Sequence, residues 1–196
     1  MDLRIEPLTP DRLPDLAALF AQGGDPRWCW CSSFRLRNSD FTNVDIAANR
    51  SVLEAAVVHD AAEGRAPGLV AYRDDVAVGW VSLAPREDFV RLAYSRVLAP
   101  VDDTPVWSIV CFVVGRRSRG KGVATELLDA AIAYARDHGA TTLEAYPVEL
   151  EAGERIASAN TYMGTLAMFE RAGFEVVARR QANATTRVRP IVRRTI

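Results

Sequence analysis

The sequence predicts an α/β protein built on a single mixed β-sheet with helices packed on it. Three observations carry that expectation. VWSIVCFVV at 106–114 is apolar on both alternating faces, as a central strand covered above and below requires. It leads at once into an amphipathic helix at 122–138. GLVAYRDDVAVGWVSLAP at 68–85 reads as a hairpin, whereas the later strand–helix–strand–helix–strand order needs crossovers, and both connections in one chain imply a mixed sheet. With 196 residues, just under half hydrophobic and a quarter charged, the chain supports one sizeable core, so 1–196 is read as one domain.

The elements follow in order. Thr9-Pro10 looks like an N-cap followed by proline at the first helical position, with Leu13, Leu16, Leu19 and Phe20 on one face. Pro14 conflicts with so early a start and moves it nearer 14, and GGDP at 23–26 ends the helix. A second helix is expected from about Asn43 to Ala62, stopped at Gly64. In the hairpin, two β-rich runs flank Asp74-Asp75, and 86–105 holds a short helix and a proline-rich loop. The 122–138 helix carries Val123, Leu127, Leu128, Ala131, Ile132 and Ala135 on its apolar face, and His138-Gly139 closes it. TTLEAYPVE at 141–149 is a strand. A short helix spans about Tyr162 to Ala172, and EVVARR and TRVRPIVRR make two last strands, the second read as a charged edge.

Composition excludes some partners. Net charge is −1, so no global field recruits nucleic acid or a membrane surface. Six arginines after Glu175 raise nucleic acid as a possibility, but alternation on a strand accounts for them better. There is no apolar run of membrane-spanning length and no secretory pattern at MDLRIEPLTP, which together with three cysteines points to a reduced cytoplasmic protein. Cys29 and Cys31 at C-x-C spacing would be half a zinc site, yet four ligands cannot be assembled, so no metal is expected.

RRSRGKG at 116–122 gathers three arginines and the chain's lysine around two glycines, between a buried strand and a helix. Without Cβ atoms, Gly120 and Gly122 let a ligand approach the backbone. The first N–H groups of the helix lack internal partners and carry the positive end of its dipole, so a diphosphate would satisfy them. The stretch matches neither a P-loop nor the dinucleotide-binding GxGxxG. A solvated basic loop is the plain alternative.

Arg117-Ser118-Arg119-Gly120-Lys121-Gly122, with Ala124 after it, resembles the pyrophosphate motif [QR]-x-x-G-x-[GA] of the Gcn5-related N-acetyltransferases. VVGRRSRGKGVATELLDAAIAYARDHGATTLEAYP is similar to that family's fourth strand, third helix and fifth strand, and MFERAGFEVV to its closing helix and sixth strand. The resemblance implies the acyl-CoA N-acyltransferase fold, with acceptor-side helices and first strands in 1–105 and the acetyl-CoA-binding core in 106–196. It implies that the backbone of Phe112, Val113 and Val114 pairs with the pantetheine arm of acetyl-CoA. Arg117, Ser118, Arg119, Gly120, Lys121, Gly122, Val123 and Ala124 would wrap the diphosphate, with at least two of the basic side chains left as solvated rim. The implied reaction is direct transfer of acetyl to a primary amine in a ternary complex, the acceptor being a small molecule or peptide. A homodimer is common in the family and is carried on the resemblance alone.

The catalytic positions depart from the family pattern. Many members keep a tyrosine in the closing helix as proton donor to sulfur; here that cofactor-side position is Phe169. Tyr162 and Tyr146 are substitutes, with packing or capping as their plain alternative. Some members use a glutamate on the central strand, which VWSIVCFVV lacks. Glu144 and Glu149 lie on or beyond the next strand, and Glu149 at its open end is the preferred base, with a solvated surface carboxylate as its alternative. Cys111 reads as a small buried hydrophobe. Trp28 and Trp30 fall where the family builds its acceptor wall, giving the acceptor apolar or aromatic character; simple core packing is the alternative, as it is for Trp80 and Trp107. The missing acid and base also leave two other readings, a non-catalytic module that senses acyl-CoA or a metabolite, and transfer to a hydroxyl.

Overall fold

The structure is a computed structural model, and it describes residues 3–42, 45–151, 153–154, 156–157 and 160–196. A seven-stranded sheet runs in the order β1-β2-β3-β4-β5-β7-β6, formed by β1 (Arg4–Pro7), β2 (Gly68–Arg73), β3 (Val76–Pro85), β4 (Trp107–Val114), β5 (Thr142–Ala145), β6 (Glu175–Arg180) and β7 (Arg189–Thr195). All neighbours are antiparallel except β4 and β5, which are parallel and joined through a helix. The mixed sheet expected from the sequence is therefore present. Asp74 and Asp75 form the β2–β3 turn, both with positive φ, as a two-residue hairpin that follows strand twist requires.

Helices cover both faces. On one lie α1 (Leu13–Phe20), α2 (Pro26–Cys29), α3 (Ile46–Ala62) and α4 (Val90–Tyr94). Their core joins Leu16, Phe20 and Leu53 to Trp80, Cys111 and Tyr146. On the other lie α5 (Val123–Asp137) and α6 (Leu166–Arg171), where Leu127, Leu128 and Phe169 pack on Val81, Ile109 and Phe112. α5 sits close to β3: a Cβ on Gly79 would come within 2.7 Å of Val123 Cγ1. The two faces explain why β4 is apolar throughout. Trp80 is core as expected, and Trp107 is half-buried against Tyr134 and His138 of the α5 end.

Several expected boundaries change. β1 is an addition; its four residues are too short for alternation to announce them, and Leu3 and Ile5 pack on the α5 face. α3 starts at Ile46, where the Asp45 side chain accepts from the Ala48 N–H at 2.9 Å; the expected start at Asn43 lies outside the described residues. β5 ends at Ala145 rather than 149, two residues before Pro147, which has no N–H to offer a ladder. α6 starts at Leu166 rather than near Tyr162, because Gly164 is left-handed and Thr165 extended. β7 is not an edge: it lies between β5 and β6, and β6 is the edge strand. Its arginines are engaged within the fold, Arg193 with Asp102 and Glu144 and Arg194 with the Ala172 carbonyl.

Candidate active site

The parallel ladder between β4 and β5 has three rungs, from Trp107–Leu143 to Ile109–Ala145. Beyond it the strands part. β4 carries a bulge there: Leu83 faces Ile109 and Ser82 faces Cys111, which leaves Val110 as an extra residue. Val110 and Cys111 consequently both turn to the α1–α3 face, and Phe112 turns to the α5 face. Residues 162–165 enter the gap. The Phe112 N–H donates to the Tyr162 carbonyl at 2.6 Å, and the Val148 N–H to the Gly164 carbonyl at 3.0 Å. Arg119 Nε donates to the Val114 carbonyl at 3.1 Å. Strand alternation then turns the Phe112 carbonyl and the Val114 N–H toward the gap.

A cleft of about 880 Å³ opens from this gap. One end is the turn between β4 and α5. Gly120 and Gly122 have φ of +70° and +81°, and a Cβ on Gly120 would meet nothing within 4 Å. Gly122 caps α5 without a side chain, and the Thr125 and Glu126 N–H groups bond back to its carbonyl. The N–H groups just before them thus face open space at the positive end of a 15-residue helix. Ser118, Arg119, Gly120, Gly122, Val123 and Ala124 line this end, with Phe112, Val113 and Val114 beyond. Arg117 and Lys121 are exposed and are not among the lining residues, as expected of a solvated rim.

The other end is aromatic. Trp28 and Phe41 form a tilted pair at 6.2 Å, and Phe34 and Tyr162 another at 6.3 Å; all four rings line the cleft. Between the ends lie three thiols, Cys29, Cys31 and Cys111, with Cys31 Sγ 3.3 Å from Cys111 Sγ. The hydrogen bond that Cys31 donates to Cys111, together with burial, pushes the Cys31 pKa up, and the bond from Cys29 to Cys31 and burial do the same for Cys29, so both stay protonated at neutral pH. Trp30 and Cys31 are consecutive non-glycine residues in left-handed conformation, a strained pair costing about 1–2 kcal/mol per residue. The twist sends Trp30 into the core against Phe20, at 5.3 Å edge to face, while Trp28 and Cys31 face the cleft.

The profile of the Acetyltransferase (GNAT) family matches residues 30–174, most of the chain. The chain belongs to the GNAT acetyltransferase family. No curated protein sequence matches it. Among solved structures it is similar to the Drosophila melanogaster polyamine N-acetyltransferase that catalyses formation of N-acetylagmatine (12% identity, 100% of each chain, TM-score 0.62). It is also similar to PaiA N-acetyltransferase from Thermoplasma acidophilum in complex with coenzyme A (13%, 100% of each chain, TM-score 0.55). A third is ribosomal-protein-alanine N-acetyltransferase from Brucella melitensis (22%, 98% of this chain and 99% of that one, TM-score 0.56). At these identities the likeness is one of fold.

In this GNAT acetyltransferase Tyr162 lines the cleft and Glu149 does not. Tyr162 lies on the cleft, 41% exposed, with its ring against Phe34; burial pushes its pKa up, and Cys111 adds to the rise. Glu149 is not among the lining residues; at the surface its carboxylate accepts from Arg179 at 3.0 and 3.3 Å. Phe169 is fully buried beneath the cleft, packed on Phe112 and Phe174. Tyr146 and Glu144 are also fully buried, below the gap. There Glu144 accepts from Tyr146 at 2.6 Å, Arg86 at 2.5 Å and Arg193 at 2.8 Å, and Tyr146 shares a hydrogen bond with Ser108 at 2.9 Å. Residues that sequence reasoning missed are Phe34, Phe41 and Arg91 on the aromatic end, and the bulge at Val110. WCWCSSFRLR is irregular in period, so its pattern carried no signal for which side chains face inward. No group of His, Cys, Asp and Glu able to hold a metal ion occurs among the described residues, and no helix there is long and apolar enough to cross a membrane.

Proposed function

We propose that the chain is an acetyl-CoA-dependent N-acetyltransferase that moves the acetyl group to a primary amine by direct attack within a ternary complex. One observation carries this reading. The cleft is continuous from an anion-accepting glycine turn, past an open strand edge, to an aromatic end, so donor and acceptor share one cavity. The N–H groups at the start of α5 suit the diphosphate. The Phe112 carbonyl and Val114 N–H suit the amides of pantetheine, which would extend β4 as an added strand.

Holding both reactants in one cleft replaces a bimolecular encounter by an oriented one. The acceptor must be neutral to attack; an alkylamine has a pKa of about 10, so its proton leaves to water in the open aromatic end. The N–C bond forms as the C–S bond breaks, and the departing thiolate takes a proton. Tyr162 is the cleft residue suited to give it, because a raised pKa keeps its hydroxyl protonated. The protonated thiols of Cys29 and Cys31 make an acyl-cysteine route through either of them the poorer fit.

Acetyl-CoA consumption with release of free thiol, against a panel of amines, tests the activity, and calorimetry with acetyl-CoA tests the donor site. Replacing Gly120 and Gly122 with Val is expected to abolish binding, since each Cβ would enter the space the diphosphate needs. The single variant Gly120→Ala, with about 1–2 kcal/mol of left-handed strain, serves where the double variant unfolds by circular dichroism. Unchanged affinity in a folded variant sinks the diphosphate site, and binding without turnover on any acceptor leaves a sensor.

A further inference from the structure

The acceptor end of the cleft has a charge pattern that the transfer reading does not use. Asp25 is the only acid among the described residues lining the cleft, and it is exposed at the mouth. Arg91 lines the same end, half-buried, with its guanidinium 5.9 Å from the Phe34 ring centroid. Among the described residues it makes no hydrogen bond or ion pair. Arg189 stands nearby on β7, bonded to the Tyr146 and Pro147 carbonyls at 3.3 and 3.2 Å, and it too has no carboxylate partner among the described residues. Both guanidiniums act on Tyr162, opposing the rise that burial imposes.

Such an end is positive and ring-lined at once. A guanidinium over one ring already occupies the face that would hold an ammonium by cation–π attraction. A polyamine, whose distal charge needs a carboxylate, meets repulsion instead. The rings suit a flat or bulky apolar body, and an unpaired guanidinium suits a carboxylate, which it can hold by two parallel N–H···O bonds. We propose that the acceptor is a primary alkylamine that carries both an aromatic ring and a carboxylate, the simplest member being an aromatic α-amino acid. The rings seat its side chain and Arg91 holds its carboxylate. The amino nitrogen takes the acetyl group: N–C forms, C–S breaks, the ammonium proton goes to water and the thiolate is protonated, while the carboxylate is unchanged.

This rests on the transfer reading, and the test separates the two. Initial rates with acetyl-CoA are compared for L-tryptophan, L-phenylalanine, tryptamine, phenethylamine, spermidine and agmatine. The same compounds are titrated calorimetrically into CoA-saturated protein. The amino acids are expected to exceed their decarboxylated partners by about tenfold or more in kcat/KM, and the polyamines by at least as much. Arg91→Gln should erase that advantage with CoA affinity unchanged, and Arg91→Lys should keep part of it. A preference for spermidine or agmatine, parity between tryptamine and tryptophan, or an advantage that survives Arg91→Gln overturns the assignment while leaving transfer intact. Preferential binding of the amino acids without turnover upholds the ring-and-carboxylate recognition and sinks transfer. Neither binding nor turnover with them overturns the assignment.

Discussion

Tyr162 lines the cleft at the point where β4 and β5 part, and Phe169, which the sequence resemblance sets at the family's tyrosine position, is sealed beneath it. A phenol whose pKa is raised by burial stays protonated at neutral pH and so remains a donor. Tyr162→Phe is expected to lower kcat by about a hundredfold and leave the Kd for acetyl-CoA unchanged. In the wild type, the rate should climb with pH as the amine loses its proton. Because the phenol acts when protonated and its pKa lies above the ordinary value of about 10, no descending limb is expected below about pH 10. A wild-type kcat in the variant, measured by thiol release, removes Tyr162 from the chemistry. At this scale the motif made the Phe169 substitution legible. It did not give the place of Tyr162, because Gly164 reads as tolerable inside a helix until its left-handed φ is seen.

At the scale of elements, the gap depends on a short parallel ladder and a buried polar cluster at its closed end. Arg86 after β3, Arg193 from β7 and Tyr146 just beyond β5 all donate to Glu144 of β5, and Ser108 of β4 bonds Tyr146. Glu144 is shared by the two guanidiniums, and Asp102 is the second carboxylate on Arg193. Glu144→Ala would leave the Arg86 and Arg193 guanidiniums facing each other with little solvent, which is expected to destabilise the fold by about 3–5 kcal/mol. Urea unfolding measures it, and a loss below about 1 kcal/mol would mean that the cluster is not a structural clamp. β4, α5 and the hairpin were legible because burial on two faces, a 3.6-residue period and paired turn residues each leave a local signature. The bulge at Val110 left none: a valine among valines has no glycine or proline to mark the extra residue. The interior place of β7 was hidden as well, since alternating arginines look alike on an edge and on a strand whose arginines are paired across the sheet.

For the molecule as a whole, one cleft between two cores makes stability and ligand binding parts of one equilibrium. Acetyl-CoA at a hundredfold excess over its Kd should add about 2.7 kcal/mol to unfolding. For a chain of this size that is a rise of roughly 5–10 °C in Tm. The shift should vanish in the Gly120→Val, Gly122→Val double variant, and a wild-type melting curve unmoved by acetyl-CoA contradicts the donor site. The fold and the glycine turn at the start of α5 were readable from the second half of the chain, where backbone geometry dictates residue type. Of the aromatic end only Trp28 was, because its other members, Phe34, Phe41 and Arg91, are joined to it in space but by no period. None of these four stands on a strand, and none belongs to the polar clamp under β5. Trp28, Phe41 and Arg91 can therefore be rewritten over generations without loosening the sheet, whereas Phe34 belongs also to the core; on the proposed transfer, one scaffold would acquire new acceptors while its supply of acetyl groups stays the same.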